Sequence, residues 1–175
     1  VTSTILNSLR KLEYRGYDSA GIATLNSGYI QEVKCEGRVD NLEKNIIKNK
    51  LLGNVGIGHV RWATHGIPST LNAHPHSSDN VSVVHNGIIE NSTLLKKFLV
   101  KKGHRFKSQT DTEVIVHLIT EYLKKNNLID TLTKVLKKLH GSFALGIIFK
   151  DEPDLIVGAR RGSPLAVGYG PGENY

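Results

Sequence analysis

The sequence predicts an α+β fold in which antiparallel sheets and helical faces pack as a layered sandwich. Three observations predict it. Short alternating segments are joined by tight turns, and such hairpins imply antiparallel pairing. Helical and strand patterns are grouped in runs. The 175 residues are 39% apolar and 22% charged, close to average globular usage, and suffice for one domain with a sizeable core.

The elements follow in order. Thr2 to Leu12 carries Ile5, Leu6, Leu9 and Leu12 on one helical face. Arg15-Gly16-Tyr17-Asp18 is a turn. Ala20 to Leu25 reads as a strand, Asn26-Ser27-Gly28 as a tight turn, and Tyr29 to Cys35 as the returning strand of a hairpin. Asp40 to Lys50 is a short amphipathic helix around Leu42, Ile46 and Ile47. Val55 to Val60 alternates glycine with apolar residues and His59, a strand that another element approaches closely. Arg61 to Asp79 is a long polar loop, and such a loop in a compact domain is usually functional. Val81 to His85 is a strand that ends at Asn86-Gly87. Helices are predicted from Leu94 to Lys102, from Thr110 to about Lys125 and from Asp130 to Leu139. Ser142 to Phe149, Leu155 to Ala159 and Leu165 to Tyr169 read as closing strands. The pattern contains no internal repeat and no low-complexity linker.

Composition narrows the function classes. No apolar run approaches the length that spans a bilayer, and no signal peptide is visible in the first residues. Cys35 is the only cysteine, so no internal disulfide forms, and a lone thiol fits a reducing compartment; a cytoplasmic location is expected. The net charge is +7, but the lysines fall at helical spacing on what read as solvated faces. No aromatic-plus-basic module appears, so neither nucleic acid nor membrane is an expected partner. The chain has no methionine, starts inside a predicted helix and stops at Gly172-Glu173-Asn174-Tyr175, so both ends are expected to be cuts through a longer protein.

Several loop segments have compositions that folding alone explains poorly. Arg61 follows a predicted strand and precedes the only tryptophan, Trp62; it can bind a carboxylate bidentately or stack on a ring at the surface. Asn86-Gly87 after an apolar strand signals a type I′ turn, and from residue type alone the turn is the favoured reading. The same pair can form an oxyanion hole, from the Asn amide and the Gly backbone N–H. Thr110 and Glu113 have capping-box spacing, with Asp111 in the first turn; spacing alone favours a helix start over an acidic contact for a ligand ammonium. His59, His65, His74, His76 and His85 include no HExxH pair, and His74-Pro75-His76 as an extended segment points its two imidazoles to opposite faces. No metal and no cofactor are expected, and Cys35 reads as an ordinary core or edge thiol.

Six segments then carry a resemblance. They are Leu12-Glu13-Tyr14-Arg15-Gly16-Tyr17-Asp18-Ser19-Ala20-Gly21, Gly58-His59-Val60-Arg61-Trp62-Ala63-Thr64-His65-Gly66, Asn72-Ala73-His74-Pro75-His76, Val84-His85-Asn86-Gly87-Ile88-Ile89-Glu90-Asn91, Thr110-Asp111-Thr112-Glu113-Val114-Ile115 and Ala159-Arg160-Arg161-Gly162-Ser163-Pro164-Leu165. In this order they resemble the glutaminase domain of the glutamine–fructose-6-phosphate aminotransferases (glucosamine-6-phosphate synthases), across essentially the whole chain. The resemblance implies a four-layer αββα sandwich, the N-terminal-nucleophile hydrolase fold. It implies hydrolysis of L-glutamine to glutamate and ammonia by an N-terminal cysteine whose own α-amine is the base. By the same resemblance Arg61 grips the α-carboxylate of glutamine, helped by Trp62, Thr64 and His65, and Asp111 holds the α-ammonium. Asn86 and the Gly87 N–H form the oxyanion hole, and Arg15 and His74 support the site. The nucleophilic cysteine is expected ahead of Val1, so residues 1–175, an amidotransferase domain cut at both ends, are expected to be inactive as they stand. Covalently linked sugar isomerase domains and a homodimer are expected of the full-length protein. Two alternatives are the glutaminase domain of an amidophosphoribosyltransferase and a non-catalytic glutamine-binding module.

Overall fold

Two antiparallel sheets organise the computed structural model, which describes residues 1–63 and 66–175. The first contains β1 (Ser19–Asn26), β2 (Tyr29–Glu36) and β3 (Val55–Arg61), in the order β2-β1-β3. Ser27 and Gly28, both at positive φ, close the β1–β2 hairpin with Asn26 opposite Tyr29. The second contains β4 (His76–Ser77), β5 (Val81–Ile89), β6 (Gly141–Phe149) and β7 (Ile156–Arg161), in the order β4-β5-β6-β7. A small ribbon pairs β8 (Tyr169–Gly170) with β9 (Glu173–Asn174).

The two-residue period of a strand decides which layer each side chain enters. Ala20 and Ile22 of β1 pack beneath α1 (Thr2–Leu12) and α2 (Val39–Asn49), around Leu6, Leu9, Leu42 and Ile46. Ala23 and Leu25, of opposite parity, meet Ile57 of β3 and Ile148 of β6 between the sheets. In β6, Phe143, Leu145 and Ile147 face the other way. They pack with Val114, Leu118 and Val135 of α4 (Thr112–Leu123) and α5 (Leu128–Lys138), and with Leu99 of α3 (Ser92–Lys101). The result is helix, sheet, sheet, helix, the four-layer order that the resemblance implied. Each fully buried leucine, isoleucine or phenylalanine contributes about 1.5–3 kcal/mol relative to exposure, so the three apolar interfaces together hold the layers.

The glycine alternation of β3 has the expected cause. A Cβ on Gly58 would lie 2.4 Å from Ile5 Cγ2, because α1 rests directly on the strand.

Four expectations are corrected. Asn86-Gly87 is no turn: β5 runs through it, with Asn86 opposite Ala144 and Ile89 opposite Gly141. The turn signal assumes that the next segment folds back on the strand, whereas the partner of β5 is the sequence-distant β6. Leu165 to Gly168 form no strand; Leu165 and Val167 are exposed, and pairing begins only at Gly168, which exchanges backbone hydrogen bonds with Tyr175 ahead of the short strand Tyr169–Gly170. α5 begins at Leu128, two residues before the expected start, because the Asn127 side chain caps it by accepting the Asp130 N–H at 2.8 Å. The capping-box reading also fails. α4 starts at Thr112, and Glu113 turns back to the segment before the helix instead of bonding Thr110. Among the described residues no helix is long and apolar enough to cross a membrane.

Candidate active site

A cavity of about 550 Å³ opens between the two sheets. Its walls come from the end of α1, from β3, β5 and β6, and from the start of α4. Arg61, Asp111 and Asn86, remote in sequence, all line it. So do Arg15, Trp62, His74 and Gly87. Thr64 and His65 lie outside the described residues.

Arg61 is the last residue of β3, and period two turns it toward the cavity, where it is 4% exposed. Its Nη2 donates to the Gly66 carbonyl at 3.2 Å, and its Nη1 lies 3.9 Å from Asp18 Oδ1. Asp18 fixes this corner from both ends. Its backbone N–H donates to the Arg61 carbonyl at 3.1 Å, and its carboxylate accepts from the Ala63 N–H and from Ser19 Oγ. Trp62 is exposed at the rim, edge-on to Tyr17 with ring centroids 5.6 Å apart. Arg15, the last residue of a single 3-10 turn, Glu13–Arg15, also lines the cavity.

Asp111 is the N-cap residue of α4 and is 8% exposed. Its side chain does not cap the helix; Oδ2 accepts the Ile89 N–H at 2.7 Å, and Oδ1 lies 3.8 Å from His85 Nδ1. A carboxylate has more lone pairs than those two neighbours use, so it can also accept from a ligand ammonium.

Asn86 is exposed in the middle of β5, and its side chain makes no hydrogen bond with the described residues. Gly87 follows at φ 139°, where an L side chain is strained, and a Cβ there would meet the Ser142 carbonyl oxygen at 2.1 Å. The glycine therefore lets β5 and β6 close up at the residue that presents Asn86.

Beneath the cavity lies a cluster of imidazoles. The rings of His59 and His74 are 4.5 Å apart and those of His74 and His76 5.0 Å, so His74 and His76 share a side. The opposite-faces expectation fails because regular strand begins only at His76. The Thr112 hydroxyl lies 2.7 Å from His74 Nε2 and 3.0 Å from His85 Nδ1. A hydroxyl has one proton and two lone pairs, so it donates to at most one of these rings and can accept from either. Burial, then repulsion from His85 and Arg61, pushes His59 down to about 4. Burial, then repulsion from Lys34, pushes His76 down to about 3, and burial with the neighbouring imidazoles holds His74 well below the usual range. These rings are neutral at neutral pH; the described cavity wall also carries the buried side chains of Arg61 and Asp111, the latter facing His85.

Glu113 anchors the approach to α4. It accepts from the Lys107 N–H at 2.8 Å, the Ser108 N–H at 2.6 Å and Ser108 Oγ at 2.7 Å. Burial alone would raise it, but the His117 imidazole 3.4 Å away and the bonds from Lys107 and Ser108 outweigh burial and hold it at about 2. Because a carboxylate only accepts, the direction of the chain behind it is fixed. Ser108 donates to Glu113, Thr110 donates to Ser108 at 3.0 Å, and His76 Nε2–H donates to Thr110 at 2.9 Å.

Cys35 is remote from this chemistry. It is 5% exposed in the layer between the first sheet and its helices, and burial pushes its thiol up. The described cavity wall carries no thiol. Residue-type reasoning missed Asp18, Asn72, Thr112 and Glu113 as organisers of the site. Their partners lie across the fold, and no local spacing signals them.

Comparison with known proteins gives the chemistry a family. The family described as "Glutamine amidotransferase domain" matches residues 59–174. Glutamine–fructose-6-phosphate aminotransferase [isomerizing] of Zymomonas mobilis is 52% identical over 176 residues, covering 100% of this chain and 29% of that protein. The protein of the same name from Clostridium acetobutylicum is 54% identical, covering 99% and 29%. The chain thus spans 29% of the length of these relatives. Among solved structures, glutamine phosphoribosylpyrophosphate amidotransferase from B. subtilis, complexed with ADP and GMP, superimposes with a TM-score of 0.72 at 31% identity; the match covers 83% of this chain and 32% of that one. An allosteric regulatory enzyme of purine biosynthesis gives a TM-score of 0.74 at 30% identity, covering 85% and 33%. The chain belongs to the glutamine amidotransferase domain family.

Proposed function

We propose that the cavity binds L-glutamine and hydrolyses its side-chain amide to glutamate and ammonia, as the glutaminase half of a glutamine–fructose-6-phosphate aminotransferase. In this reading the Arg61 guanidinium holds the α-carboxylate and the Asp111 carboxylate the α-ammonium. The Asn86 amide and the Gly87 N–H donate to the oxyanion that forms when the amide carbonyl is attacked. The backbone around Trp62, Thr64 and His65 helps Arg61 grip the α-carboxylate, with Arg15 and His74 in support. The attacking thiolate is that of an N-terminal cysteine ahead of Val1, and its displacement of ammonia leaves a glutamyl thioester for water to cleave. Released ammonia goes to sugar isomerase domains elsewhere in a cytoplasmic, homodimeric protein and ends in glucosamine 6-phosphate.

One observation carries the reading: a buried cation, a buried carboxylate and an uncommitted amide meet on one cavity sized for a small molecule. Those three groups match the two charged ends and the reacting carbonyl of glutamine. The higher identity to the aminotransferases favours them over an amidophosphoribosyltransferase. The test is glutamate release from glutamine by the protein at its natural length. Release above an enzyme-free control supports the proposal, and none above that control sinks it.

A further inference from the structure

The two charged anchors of the cavity stand on separate segments, and something must set the distance between them. Arg61, held in β3 and beside Asp18, is also tied by Nη2 to the Gly66 carbonyl and so to the segment at 66–72. Asp111 ends the segment at 107–111 that leads into α4. Asn72 joins the two. Its Nδ2 donates to the Ile67 carbonyl at 2.9 Å and to Gln109 Oε1 at 3.2 Å, while its Oδ1 accepts the Gln109 N–H at 2.9 Å. Its own N–H is held by the Ser69 carbonyl and hydroxyl, both at 3.2 Å. Asn72 is 3% exposed, and its amide donors and acceptor are all occupied in this bridge. Among the described residues, the other hydrogen bonds along 107–111 go to Glu113, His76 and Ile89, and Asn72 joins that segment to the 66–72 segment beside Arg61.

We infer that Asn72, through its paired contact with Gln109, is a positioning residue that sets the separation between the α-carboxylate anchor and the α-ammonium anchor. The inference rests on the proposed amino-acid site and adds to it a residue that touches no substrate. A ligand held at both ends feels an error in that separation; a ligand held at one end does not. Misplacement of about 1 Å in a site costs on the order of a hundred-fold.

The test measures inhibition of glutamine-dependent ammonia release in the protein at its natural length, with two inhibitors. L-Glutamate carries both α groups, whereas glutarate lacks the ammonium. In Asn72→Ala, KM for glutamine and the inhibition constant of L-glutamate should rise about 10- to 100-fold. The glutarate constant should change less than about 3-fold, because Arg61 itself is untouched. Gln109→Ala removes one bond of the bridge and should show the same selectivity more weakly, so it carries the test if Asn72→Ala fails to fold. Equal weakening of both inhibitors in the folded variants, or no weakening of either, overturns the positioning role. A wild-type protein that neither hydrolyses glutamine nor binds L-glutamate overturns the underlying site reading, and the inference with it.

Discussion

Lowering the pH should remove the contribution of Glu113 through a window that the structure defines. Its carboxyl falls from an ordinary value of 4.5 to about 2 in the folded chain. The folded value is depressed, so the stabilisation is complete above about pH 4.5 and is lost as pH falls toward about 2. At about 1.4 kcal/mol per decade, the contribution is about 3 kcal/mol at neutral pH and about 2 kcal/mol at pH 3.5. Glu113→Gln keeps the shape but turns an NH₂ group toward the Lys107 and Ser108 N–H donors. At neutral pH it should therefore cost about 2–3 kcal/mol. Urea unfolding of both proteins from neutral pH down to about pH 3 gives the difference at each pH, and subtraction removes the other carboxylates. The difference should shrink by about 1–2 kcal/mol across that range. A difference that stays constant below pH 4.5 would show that Glu113 titrates normally, refuting the hydrogen-bond clamp.

The histidine cluster sets a second, higher window. His59, His74 and His76 have folded values below 6.5, so the unfolded chain binds more protons and stability is lost as pH falls below about 6.5. Urea midpoints should decline between about pH 6.5 and 4.5, ahead of Glu113, and a flat profile there would mean the rings are not buried neutral. Gly87→Ala should destabilise by about 3 kcal/mol or more, from backbone strain at φ 139° and the clash with the Ser142 carbonyl. Thermal unfolding checks this, and a change below about 1 kcal/mol would mean that β5 and β6 are not closely apposed at that residue.

Much of the fold was legible because periodicity reports local facts. The face of Ile5, Leu6 and Leu9, and the glycines that admit Ile5 at Gly58, follow from spacing alone. What spacing missed depended on distant partners. Asn86-Gly87 looked like a turn because the pairing of β5 with β6 is invisible locally. Thr110 and Glu113 looked like a capping box because nothing in sequence shows Glu113 reaching back to Lys107 and Ser108. The cavity residues were nameable only through the six-segment resemblance; residue type left Arg61 open and favoured structural readings of Asn86 and Asp111. Asn72 and Thr112 stood inside those segments without a role, since hydrogen bonds across the fold define what they do.

The most direct measurement is glutamine hydrolysis by Asn86→Ala at natural length. Asn86 is exposed and its amide bonds no described residue, so truncation should leave the fold and thermal midpoint unchanged. Loss of one donor to the developing oxyanion should lower kcat about 100- to 1000-fold with little change in KM. A folded Asn86→Ala variant that turns over glutamine at the wild-type rate would contradict the assignment of this cavity as the place where negative charge is met.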